Sequence, residues 1–137
     1  MKIHSTNYFN TLVEVAEDCK VDVGTPPPAK ATQTVAELQY ELIANNPYRY
    51  TSDDVLFQVY AIKNNLDQED YEEARTKFFS KGQPCFRASP LTKSYGYGIH
   101  SNADGKIALL PIESSEYQKL VENSTVKKVK AMRSSKK

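Results

Sequence analysis

The chain has 137 residues, the size of one ordinary domain able to build its own core. Its 18 basic and 17 acidic residues leave a net charge of +1, which excludes both a strongly cationic nucleic-acid protein and an acidic solvating chain. No apolar run approaches the ~20 residues that cross a bilayer, the opening MKIHSTNYFN lacks a secretory signal, and Cys19 and Cys85 are too few for a disulfide framework; the expectation is a cytoplasmic protein with no membrane partner.

The first predicted element is a strand over residues 9–16. Phe9, Thr11, Val13 and Val15 alternate with Asn10, Leu12, Glu14 and Ala16, the period of a half-buried strand. GTPPPAKA at 24–31 reads as an extended polyproline crossing. Thr34 and Glu37 have capping-box spacing, and Val35, Leu38, Leu42 and Ile43 form the apolar stripe of a helix ended by Asn45, Asn46 and Pro47. Tyr48, Arg49 and Tyr50 form a short link, either a stacking-plus-cation patch or rings packed between helices with Arg49 in water. VLFQVYAI at 55–62 is β-rich, but Thr51 and Asp54 have capping spacing, which predicts a helix over 52–64. A third helix starts at Asp67, is stapled by Leu66 and Tyr71, buries Tyr71, Ala74 and Phe78, and is stopped by Gly82.

From Pro84 the pattern changes to strand and turn. Pro84 and Pro90 bracket CFRAS, read as extended. Residues 94–101 and 106–112 make a hairpin around Asn102-Ala103-Asp104-Gly105, where Asp-Gly supplies the positive-φ turn. Ser115 and Gln118 cap a last short helix with Tyr117, Leu120 and Val121 on its apolar face. Residues 123–137 carry six basic residues and no acid, leaving the rest of the chain net acidic. They read as a flexible tail with few apolar groups to offset the entropy of ordering. The plan is α+β: a single domain over 1–122, with a small antiparallel sheet, including the C-terminal hairpin, packed on one side against three to four helices. An open sheet edge or apolar helix face also raises a homodimer.

The densest polar cluster is CFRASPLTKSYGYGIHS at 85–101. A strand would put Cys85, Arg87 and Ser89 on one face, with Arg87 favouring the Cys85 thiolate. In the hairpin, Tyr95, Tyr97 and Ile99 share one face, and Gly96, Gly98 and His100 the other. The preferred reading is a binding pocket for a small anionic molecule. In it Arg87 and Lys93 hold the charge, Tyr95 or Tyr97 supplies a stacking wall, and His100 adds a polar contact. One alternative is a cysteine-dependent enzyme in which Cys85 attacks with His100 as base. Another is nucleic-acid association through the basic tail. The plain structural reading makes Cys85 a small buried hydrophobe and Arg87 a surface ion-pair partner. Asp53 and Asp54 are adjacent, diverge on a helix and serve its positive end. No CxxC, HxxxH, Walker, Rossmann or GxSxG pattern occurs, so neither metal nor cofactor is expected.

NYFNTLVEVAEDC at 7–19, TVAELQYELIANNPYRYTSDDVLFQVYA at 34–61 and FFSKGQPCFRASPLTKSYGYGIHSNADGKIAL at 78–109 resemble a family of small bacterial proteins built on a domain of unknown function. The resemblance runs from His4 to about Tyr117. It implies a stand-alone cytoplasmic bacterial domain and brings no activity, substrate or catalytic residue with it.

Overall fold

The computed structural model describes residues 3–134. Four strands form one open sheet in the order β3-β2-β1-β4: β1 (Thr11–Glu14), β2 (Tyr97–Ser101), β3 (Ile107–Pro111) and β4 (Lys127–Lys130). β2 pairs antiparallel with both β1 and β3, whereas β4 runs parallel to β1. The α+β class therefore stands, but the sheet is mixed and not all antiparallel. β3 and β4 point the same way, so the chain must cross the sheet between them. α5 (Ser115–Glu122) is that crossing.

α5 also corrects the expectation of helices on one side only. The main core joins one face of the sheet (Val13, Tyr97, Ile99, Ile107) to Leu38 and Ile43 of α1 (Val35–Ala44) and Val55 and Val59 of α2 (Ser52–Lys63). Leu91 of α4 (Pro90–Lys93) and Phe86 complete it. On the other face Tyr117 of α5 packs against Leu12 and Val15. β1 is consequently buried on both faces: Leu12 and Val13 are 0% and 1% exposed. Phe9, expected to point inward, precedes the strand and is exposed, because the chain turns at Asn10 with φ of 50°.

The helix starts follow their caps. Thr34 accepts from the Glu37 amide at 3.2 Å, while the Glu37 carboxylate turns back to the Lys30 amide and the Gln33 side chain. Thr51 and Asp54 form the full reciprocal box, each side chain taking the other's amide at 3.1 and 3.0 Å. Residues 55–62 are thus helical. Their nearly continuous apolar run has a geometric cause. Val55 and Val59 face the main core, while Phe57 and Ala61 face α3 (Tyr71–Phe78), with Leu66 and Tyr71 alongside. Asp53 ties down the N-terminal segment: its carboxylate accepts from the Thr6 amide, the Thr6 hydroxyl and the Ser5 hydroxyl at 2.7, 2.7 and 2.8 Å. Tyr48–Tyr50 is neither a free patch nor an interhelical link. The Tyr48 amide donates to Ile107 and the Ile107 amide to Tyr50, which pairs this link with the outer edge of β3.

Other expectations shift. α3 follows a 3-10 turn at Gln68–Asp70, leaves Tyr71, Ala74 and Phe78 only half-buried, and ends at Phe78, before Gly82. Residues 85–89 are not extended. A 3-10 turn (Phe86–Ala88) leads into α4, with Ser89 as N-cap accepting from the Leu91 amide and Pro90 at the first helical position, where its missing N–H costs nothing. The hairpin forms as expected around Gly105, whose φ is +79°. α5 is capped by Ser114, one residue before the expected Ser115.

The largest correction concerns the basic segment. Lys127–Lys130 is an edge strand, with Val129 against the main core. Ala131 is buried and donates to Glu14, Met132 donates to Arg87, and the Ser134 amide donates to the Asp18 carboxylate. Composition misleads here because edge strands commonly carry lysine, which blocks edge-to-edge pairing. The remainder of that segment, residues 135–137, lies outside the described residues. Among the described residues no helix is long and apolar enough to cross a membrane.

Candidate functional site

The five residues expected to hold an anion do not meet in one cavity. Arg87 is exposed, its Nε donates to the Lys130 carbonyl at 2.7 Å, and it acts as a clasp on β4. Lys93 ends α4, in a polar hollow with Asp18, Lys20, Ser94 and Ser134. Tyr95 is half-buried against the main core. Tyr97 is within that core, its ring 5.6 Å from that of Tyr40, and burial together with Tyr40 drives its phenol well above the ordinary tyrosine value. His100 points to the other face of β2, as strand alternation requires. Its Nδ1 meets the Tyr48 hydroxyl at 2.7 Å, the rings stand edge to face, and burial lowers its pKa.

The same alternation separates Cys85 from His100. Cys85 lies on the main-core side with its thiol 3.6 Å from the Tyr8 hydroxyl, whereas His100 shares the α5 side with Gly98 and Leu12. They form no nucleophile–base pair, and the cysteine-enzyme geometry fails. Burial, followed by the hydrogen bond and charge of Cys85, raises the Tyr8 phenol, with Arg87 partly offsetting. The two hairpin glycines serve packing. Gly98 lies under the Tyr117 ring, and Gly96 adopts φ of +79° against the Val23 carbonyl. Among the described residues no group of three or more His, Cys, Asp or Glu is placed to hold a metal ion.

Cys85 instead opens onto an apolar groove of about 430 Å³, a size that suits a drug-sized molecule. Its walls come from α1 (Val35, Gln39), α2 and the turn segment 83–90. The α2 contribution is Leu56, Val59, Tyr60 and Lys63, one stripe at helical spacing. That is a third apolar face of α2, beyond those given to the sheet and to α3. Val35 and Tyr60 remain 42% and 39% exposed there, so the groove is open to solvent.

One polar group is buried in this wall. Gln39 is 4% exposed and its Oε1 accepts from the Ser89 hydroxyl at 2.6 Å. Ser89 is fully used, since it also caps α4. The bond fixes the amide orientation and leaves Gln39 Nε2 as a donor with no hydrogen-bond partner among the described residues. The other side-chain amides are engaged at the rim: Asn64 Nδ2 donates to Tyr60 and Gln83 Nε2 to Phe78. Sequence reasoning found Cys85 but missed the groove. The available signal was α2 itself, which carries apolar residues on more sides than two neighbours can cover.

No curated protein and no solved structure matches the chain. The model of one family, described as a family of unknown function (DUF6157), matches residues 3–137, nearly the whole sequence and β4 with it, so the chain belongs to that family of unknown function.

Proposed function

We propose that this domain is a binding module for a small, mainly apolar molecule seated in the groove between α1, α2 and the 83–90 segment. The observation that carries the reading is Gln39. A buried amide donor without a partner, on an otherwise apolar wall, is an unfavourable feature in a purely structural groove. A ligand oxygen placed against Nε2 would remove that cost. Solvent-exposed Val35 and Tyr60 on the same walls support the reading, since a ligand would cover them.

The test uses N-phenyl-1-naphthylamine, a neutral dye that brightens in apolar sites, titrated into the full chain. The expected result is saturable fluorescence at one site, and protection of the Cys85 thiol from alkylation, read by peptide mass spectrometry. Val35→Trp, at the exposed first position of α1, fills the groove without touching the core and abolishes both effects. Non-saturable binding, or binding indifferent to Val35→Trp, overturns the reading.

A further inference from the structure

The charge of the groove narrows the ligand class. Lys63 is the only charged residue lining it, and no carboxylate shares the wall. The Lys63 ammonium donates to the Gln33 carbonyl at 2.9 Å and meets no acid, the ion pairs among the described residues being Arg75–Asp54 and Lys130–Glu14. It therefore keeps two N–H donors and its full charge at the exposed end of the cleft. Gln39 sits at the buried end as a neutral donor. A charged oxygen against Gln39 would be desolvated without a counter-charge, whereas an uncharged one would gain a hydrogen bond. An anion is accommodated at the wet end beside Lys63, where desolvation is slight. The two ends thus differ in what they accept.

Resting on the binding reading above, we propose that the groove takes an amphipathic monocarboxylate. Its carboxylate lies beside Lys63, its apolar chain or ring lies along Leu56, Val59, Tyr60 and Val35, and an uncharged oxygen at its far end accepts from Gln39 Nε2. A volume of about 430 Å³ is the space of roughly fourteen waters at ~30 Å³ each, which suits a body of about a dozen heavy atoms. Lys63 also lies in the last turn of α2, where a cation complements the helix dipole. The experiment separates that structural use from ligand recognition.

Binding of decanoate, decanamide and the ω-hydroxy derivative of decanoate is measured by calorimetry at low salt, below micellar concentrations, on the wild type, Lys63→Met and Gln39→Met. Decanoate is expected to bind about twofold to fivefold more tightly than decanamide, the worth of a pair at a wet rim. Lys63→Met removes that advantage and leaves decanamide unchanged, which loss of a dipole contact alone would not do. The ω-hydroxy acid binds more tightly than decanoate, and Gln39→Met erases the gain. Equal affinity for acid and amide, or equal weakening of both by Lys63→Met, overturns the carboxylate assignment while the groove stands as a neutral-ligand site. If none of the three binds or protects Cys85, and the naphthylamine also fails, the binding reading falls with it.

Discussion

Gly98 is the point where α5 meets the sheet, and replacing it tests whether that contact is as close as it looks. A Cβ built there would lie 2.5 Å from Tyr117 Cε2, 2.9 Å from Tyr117 Cδ2 and 3.1 Å from the Val13 carbonyl oxygen. The ring cannot retreat freely, because the Tyr117 hydroxyl accepts from the Val15 amide at 3.0 Å. Gly98→Ala therefore lifts α5 or breaks that bond. Overpacking costs about 1–3 kcal/mol. Loss of a buried hydrogen bond adds roughly 0.5–1.5 kcal/mol. The more restricted unfolded chain returns about 0.4–1 kcal/mol. The net is a destabilisation of about 1–3 kcal/mol, and at ~4 °C per kcal/mol for a domain of this size Tm falls by roughly 4–12 °C. Urea denaturation read by circular dichroism measures it, with Tyr117→Leu as a second background. In that background the added methyl has room, so the cost of Gly98→Ala shrinks and the cycle shows a coupling of about 1 kcal/mol. A Gly98→Ala cost below about 0.5 kcal/mol in both backgrounds would refute the packing argument.

Two further predictions concern titration and the last strand. Burial lowers the His100 pKa from its ordinary 6.5, so the unfolded chain binds the proton first as pH falls. The stability contributed by the neutral imidazole is complete above about pH 6.5 and is lost as pH falls from there through the folded value; urea midpoints measured on wild type and His100→Gln should diverge over that window, and parallel curves would count against it. Ala131→Asp places an unpaired carboxylate in the main core and should cost roughly 3–5 kcal/mol in the same assay, whereas Met132→Asp, at a side chain 51% exposed, should stay within about 0.5 kcal/mol. A frayed segment would make both substitutions silent.

What was legible in the sequence was local. The caps at Thr34 and Thr51 and the Asp104-Gly105 turn each act within four residues, and each appears where the spacing puts it. The cap at Thr51 also settles the helix-or-strand ambiguity of residues 55–62, since two reciprocal hydrogen bonds commit the backbone at the first turn. Ser89-Pro90 was equally local. It is an N-cap followed by proline at the first helical position, but reading the two prolines as brackets around an extended run concealed it. β4 was not local. Nothing within KKVK shows that its partner is β1, more than a hundred residues earlier, because the pairing depends on where α5 sets the chain down.

The candidate site divides along the same line. Cys85, Arg87, Lys93, Tyr95, Tyr97 and His100 are neighbours in sequence, and contiguity suggested convergence. A 3-10 turn, a short helix and a strand in succession instead send them to a groove wall, a strand clasp, a polar hollow, the core and the opposite face of the sheet. The groove is assembled from three segments that no short motif joins. Its trace in the sequence is an excess. α2 satisfies the sheet with Val55 and Val59 and α3 with Phe57 and Ala61, yet it still carries Leu56 and Tyr60 in line with Lys63. A helix packed between two neighbours has no folding use for a third apolar stripe ending in an unpaired cation. That surplus, left after the core has been accounted for, marks the surface where a ligand with one apolar and one anionic end would fit.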